Sequence, residues 1–255
     1  MSGSLLDLLR HRYRQNPELL FICDGDRLTM RETAQYAAAR AEELRDSGVK
    51  PGDRVALVAH NSLDYVVNWM ACLLAEAPVA LINPNYPAEM LAQMLEDFVP
   101  KLVIAERDIE VLAAGDVLVA ETARHGGMID SPLDAARIAD PLAVVSYMHT
   151  SGTTGRPKFC AQSSTYFLRL GHEFSAALRL DDRDVVFAPL PLFHINPMGY
   201  GLVGALTSGA NLLTTGRFSA RDFWPLAKRE QATALVLHAP PVEILKRTTS
   251  ADDAA

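Results

Sequence analysis

The residues 149–158, His-Thr-Ser-Gly-Thr-Thr-Gly-Arg-Pro-Lys, bring together two glycines, four hydroxyls and a lysine. That set suits a polyphosphate. Gly152 and Gly155 carry no Cβ, so main-chain N–H groups can approach anionic oxygens closely. Thr150, Ser151, Thr153 and Thr154 add hydroxyl donors, Lys158 adds a positive charge, and Pro157 stiffens the exit while removing one donor. Glycine, serine and threonine also fill ordinary surface turns. A turn alone, however, does not require a lysine held behind a proline at the end of a glycine pair. The P-loop of nucleotide triphosphatases is the nearest competitor, but there lysine directly follows glycine and Ser or Thr directly follows lysine. Here Pro157 precedes Lys158 and Phe159 follows it.

A second candidate is His194, in Pro189-Leu-Pro-Leu-Phe-His-Ile195. A lone histidine behind apolar residues is more often packed than catalytic. His60, His125, His172 and His238 have no spacing that suggests a metal and are expected to be structural or surface residues. Cys160 lies beside the glycine-rich loop, but no neighbouring base is evident, and small cysteines commonly pack in cores. Arg217 and Phe218 are read as turn and packing residues, and Phe223 with Trp224 as the buried face of a helix.

Regular elements must hold these residues in place. Residues 21–23 and 27–28 flank Asp24-Gly25-Asp26, a hairpin pattern in which glycine accepts positive φ. Thr29 and Glu32 form a possible capping box for an alanine-rich helix that ends near Gly48. A repeating βα rhythm follows: strands over 54–59, 79–82 and 102–105, and helices over 62–74 and 88–98. Continuous apolar strands between helices predict a parallel sheet covered on both faces. Residues 121–140 read as a polar surface connection. A strand over 142–148 leads into the loop, and a helix over 164–178 follows it. Further strands are expected over 184–188, 210–214 and 233–238, with helices over 198–207 and 220–230.

Composition narrows the function classes. The chain of 255 residues is 49% hydrophobic, ordinary for a folded globular protein. Its 24 basic residues are scattered among 31 acidic ones, a net charge of −7, which disfavours nucleic-acid binding. Cys23, Cys72 and Cys160 match neither a zinc site nor a disulfide framework, which fits a reducing, cytoplasmic compartment. The N-terminal leucines are interrupted by Asp7 and read as a short amphipathic helix. No stretch reaches the roughly 18 apolar residues of a membrane span.

Residues 149–159 resemble the phosphate-binding signature of the adenylate-forming superfamily, Tyr-Thr-Ser-Gly-Thr-Thr-Gly-x-Pro-Lys-Gly. Two positions depart: His149 stands where an aromatic or hydroxyl residue is common, and Phe159 replaces the last glycine. Weaker likeness extends over nearly the whole chain, through Leu28-Thr29, Gly48-Val-Lys-Pro-Gly-Asp-Arg-Val55, Ala80-Leu-Ile-Asn-Pro84, the acyl-pocket-like segment 189–195, and Gly209-Ala210 through Arg217-Phe218.

The resemblance implies an α/β fold with doubly wound, mostly parallel sheets flanked by helices, as part of a large N-terminal ATP- and acid-binding domain. It implies ATP, Mg²⁺ and a small carboxylic acid as ligands, with CoA or a carrier-protein thiol as acyl acceptor. Thr150, Ser151, Gly152, Thr153, Thr154, Gly155 and Lys158 would bind phosphates, Thr150 would also meet the metal, Lys158 would be catalytic, and His194 would line the acid site. The family's Mg²⁺-binding glutamate, ribose-binding aspartate, hinge and C-terminal lysine are expected downstream of residue 255, so the chain is expected to be incomplete and inactive alone. Two other readings stay open: a nucleotide-binding module without catalysis, and a P-loop phosphotransferase.

Overall fold

The computed structural model describes residues 3–109, 116–119, 132–134, 140–150 and 157–249. Helix α1 (Leu5–Gln15) begins with a capping box in which Ser4 and Asp7 satisfy each other's main-chain N–H groups, and it buries Leu5, Leu6, Leu8 and Leu9. Strands β1 (Leu20–Cys23) and β2 (Asp26–Thr29) form an antiparallel hairpin. Its turn holds Gly25 at φ +97°, a region closed to most side chains. The Thr29–Glu32 capping box then opens α2 (Met30–Asp46).

The βα rhythm follows the expected bounds closely. It runs β3 (Val55–Val58), α3 (Leu63–Leu74), β4 (Val79–Ile82), α4 (Ala88–Phe98), β5 (Leu102–Ala105) and β6 (Asp116–Val119). Strand β7 (Val144–Thr150) and β8 (Lys158–Ser163) precede α5 (Ser164–Leu178) and β9 (Val185–Phe187). A π-helical segment, Asn196–Val203, continues into α6 (Gly204–Ser208). The chain then forms β10 (Asn211–Thr214), α7 (Phe223–Arg229), β11 (Ala234–Leu235) and α8 (Ala239–Thr248).

Two sheets result. The larger has the order β6-β5-β3-β4-β7-β8, parallel except for β8 against β7; the smaller has the order β11-β9-β10-β1-β2, parallel except for the β1–β2 hairpin. Period-2 alternation explains why the central strands are apolar throughout. In β3, Val55 and Leu57 join the main core with Trp69 and Tyr65, while Ala56 and Val58 pack with Leu91, Met94, Leu95 and Phe98 of α4. The smaller sheet likewise covers its second face with Phe223, Leu226 and Ala227 of α7.

Four expectations need correction. The strand expected over 142–148 extends through His149 and Thr150, and residues 158–163, left between the loop and the next helix, form β8, because they pair antiparallel with β7 across the hairpin. The strand expected over 233–238 is two residues long, since Pro240 and Pro241 draw the following segment into the start of α8. The helix expected over 198–207 is largely π-helical. Cys160 is exposed instead of buried. The expected connection over 121–140 and His125 lie almost entirely outside the described residues.

Candidate active site

Strand β7 delivers His149 and Thr150 to the C-terminal edge of the larger sheet, and β8 sets Phe159 opposite His149 and Lys158 opposite Thr150. Residues 151–156 close this hairpin, so the candidates Ser151, Gly152, Thr153, Thr154 and Gly155 lie outside the described residues. Their flanks are well placed for anions. Lys158 is exposed and makes no ion pair with any described residue, and Thr150 is exposed beside it. A free ammonium and hydroxyl at the mouth of a hairpin leave both groups available to a charged ligand.

Phe159, where the superfamily signature has glycine, has a structural reason. Its ring lies 4.8 Å from Phe98 of α4, and Tyr147 of β7 approaches the same Phe98 ring edge-on at 5.0 Å. The Arg54 guanidinium lies over the Phe98 ring at 5.2 Å. The aromatic stack anchors the base of the hairpin to α4.

His149 is buried, 8% exposed. Its Nδ1 lies 3.2 Å from the Tyr86 hydroxyl, and its ring stacks on Phe193 at 5.9 Å and meets His194 at 5.9 Å. Burial, with a smaller contribution from His194, pulls its pKa down to about 4, so the ring is neutral near pH 7. Its Nε2 is buried and has no hydrogen-bond partner among the described residues. His194 is exposed, edge-on to Phe193 at 4.7 Å, and its pKa is lowered by partial desolvation and then by His238. The carbonyl of His194 accepts the Met198 N–H at 3.2 Å, tying it to the start of the π-helical segment. The structure therefore sets His194 beside His149 of β7.

The chief residue that reading missed is Asn61, just after β3. Its Nδ2 donates to the Leu190 carbonyl and to Thr214 Oγ1, both at 2.9 Å, and its Oδ1 accepts the Leu192 N–H at 2.7 Å. One buried amide thus ties the edge of the larger sheet to β10 and to the turn preceding Phe193 and His194. Its partners are more than a hundred positions away, so no local pattern marks it. His60, read as structural, pairs through Nδ1 with Glu106 at 2.8 Å. Its neighbour Asn85 lies 3.1 Å from Nε2.

The geometry argues against other chemistries. Among the described residues no group of three or more His, Cys, Asp or Glu is arranged to hold a metal ion, although His149, His194 and His238 lie near one another. Burial pushes the thiols of Cys23 and Cys72 up to about 12, which disfavours them as nucleophiles. No helix among the described residues is long and apolar enough to cross a membrane.

Comparison with known proteins gives a consistent picture. The sequence profile described as AMP-binding enzyme matches residues 9–252. The chain is 31% identical over 224 residues to the oxalate–CoA ligase of Arabidopsis thaliana, covering 80% of this chain and 43% of that protein. It is 30% identical over 248 residues to a medium/long-chain fatty acid–CoA ligase of Mycobacterium tuberculosis, covering 92% of this chain and 42% of that one. The chain thus spans less than half the length of these curated relatives. A crystal structure described as a putative long-chain-fatty-acid CoA ligase from Rhodopseudomonas palustris superposes with a TM-score of 0.83 at 25% identity, covering 99% of this chain and 67% of the other.

Proposed function

The chain belongs to the AMP-binding enzyme family, and we propose that the whole protein activates a carboxylic acid with ATP, forming an acyl-adenylate and releasing pyrophosphate. The acyl group then passes to a thiol, that of CoA or of a carrier protein, to form a thioester. The observation that carries this reading is the meeting of two segments: the hairpin that carries exposed Lys158 and the Phe193–His194 turn touch through His149. A phosphate-binding loop and an acid-binding segment side by side are what an in-line attack of carboxylate on the α-phosphate requires.

In this reading the main-chain and hydroxyl groups of residues 150–155 hold the triphosphate. Lys158 neutralises charge that builds as pyrophosphate leaves, an effect strongest where water is excluded. The Thr150 hydroxyl fits a Mg²⁺ ion that keeps most of its ligands as water and phosphate oxygen, because one exposed hard oxygen at the hairpin mouth is all that ion needs from this segment. When bound, Mg²⁺ would lower the charge repulsion between carboxylate and triphosphate. His194 lines the acid side. Residues 1–255 would form an incomplete part of the large ATP- and acid-binding domain, inactive without the rest and cytoplasmic in the whole protein. Coverage of under half of the curated relatives supports that division.

The test is acid-dependent ATP–pyrophosphate exchange by the full-length protein with acetate, oxalate, decanoate, palmitate and benzoate. Exchange that requires one of these acids supports the reading. ATP hydrolysis independent of any acid, with no exchange, refutes it.

A further inference from the structure

Resting on the acid-activating reading, we infer that His149 donates a hydrogen bond from Nε2 to an oxygen of the bound acid and so orients it beside the phosphate hairpin. Four observations converge on that nitrogen. First, Nδ1 lies 3.2 Å from the hydroxyl of half-buried Tyr86; in the tautomer that accepts this hydroxyl's hydrogen bond, the neutral imidazole carries its proton on Nε2. Second, Nε2 is buried and has no partner among the described residues, a state that buried polar atoms seldom hold without a ligand or water to satisfy them. Third, packing does not call for a histidine. Phe193 stacks on the ring, and a phenylalanine at 149 would make the same contact without an orphaned donor. Fourth, of the rings around it, Tyr86 at 5.3 Å and Phe193 and His194 at 5.9 Å, two belong to the acid-side turn and none to the hairpin, so an acceptor on the acid fits better than one on the triphosphate. A donor at this position would hold the carboxylate at the boundary between the two ligands, where its other oxygen must face the α-phosphate.

The experiment uses the full-length protein and compares wild type, His149→Phe and His149→Gln in acid-dependent ATP–pyrophosphate exchange with the same five acids. Thermal unfolding serves as a check on folding. Glutamine places an amide N–H near the position of Nε2, whereas phenylalanine keeps only the ring. The expected result is a fall of about tenfold in kcat/KM for the preferred acid in His149→Phe, roughly 1.4 kcal/mol, with the apparent KM for ATP within about twofold, and recovery of most of the loss in His149→Gln. Wild-type kcat/KM in a folded His149→Phe protein overturns the inference while leaving the enzyme reading intact. So does a loss confined to the KM for ATP, which would assign the acceptor to the triphosphate, or an equal loss in both variants, which would mark a packing role. No exchange by the wild type with any acid would remove both. If His149→Phe does not fold, ¹⁵N-histidine NMR of the wild type decides the matter. On binding a sulfamoyl analogue of the acyl-adenylate, the His149 Nε2–H resonance should shift and slow its exchange with water, and an unchanged resonance overturns the inference.

Discussion

At the scale of single residues, the exposed cation at the hairpin mouth is the most direct test of the enzyme reading. Lys158 contacts no described acid and is solvent-exposed, so removing it should leave the fold intact. Lys158→Ala is expected to lower acid-dependent exchange by at least about tenfold, roughly 1.4 kcal/mol of transition-state stabilisation, with an unchanged melting temperature. Full activity in that variant would remove Lys158 from the mechanism. His194→Ala should instead alter the acid profile or the apparent affinity for the acid, and a change confined to ATP would contradict its assignment. His149 also makes a prediction free of activity. Its folded pKa, about 4, lies below the 6.5 of an unfolded histidine, so between those values the unfolded chain binds the extra proton. Stability is therefore retained above about 6.5 and lost as pH falls through 4, by about 3 kcal/mol in all. His194 is shifted in the same direction, so the comparison needed is the urea midpoint at pH 7 and pH 5 in wild type and His149→Phe. Equal slopes in the two proteins would show that His149 is not held neutral by burial.

At the scale of elements, one turn is positioned by groups distant from it in the chain. The turn from Pro189 to His194 follows β9, yet it is fastened by Asn61 after β3 and by Thr214 at the end of β10, which itself donates to the Ala188 carbonyl at 2.8 Å. The π-helical segment is pressed close beneath it: a Cβ on Gly201 would lie 2.6 Å from that of Ala188, so the backbone can approach only because the side chain is absent. Asn61→Ala would leave two acceptors and one N–H unsatisfied in a buried place and is expected to destabilise the protein by at least about 2 kcal/mol. Because the turn carries His194, the same variant should also shift the acid profile more than the affinity for ATP. Loss of stability with an unchanged acid profile would show that the tether is structural only.

At the scale of the molecule, the site sits where the two sheets meet, with the hairpin on one and the acid-side turn on the other. The parallel strands of each sheet present their C-terminal ends there, where loops are free to carry function on a rigid frame. The smaller sheet has an open side. Among the described residues β11 pairs only with β9, and Leu235 on that strand is 37% exposed while Ile244 of α8 is 46% exposed. An unpaired apolar strand edge invites association. The 255-residue chain alone is expected to self-associate in sedimentation experiments, and Leu235→Lys should raise its monomer fraction. A monodisperse wild-type chain at high concentration would contradict this account of the edge.

Much of this was legible in the linear order of residues because it depends on neighbours a few positions apart. The Thr29–Glu32 and Ser62 caps, the turn at Gly25 and the apolar runs of β3, β4 and β5 are all short-range signals, and the elements formed where those signals placed them. The family itself was readable from the segment 149–158. Tertiary structure decided what depends on distant partners. It turned 158–163 into a strand by pairing it with β7, gave Phe159 a reason in Phe98, and made Asn61 the fastening of a turn some 130 positions away. It also set His149 between Tyr86 and Phe193 with one nitrogen satisfied and one not. Burial and hydrogen-bond saturation are properties of the folded surroundings, and no window of sequence contains the residues that create them.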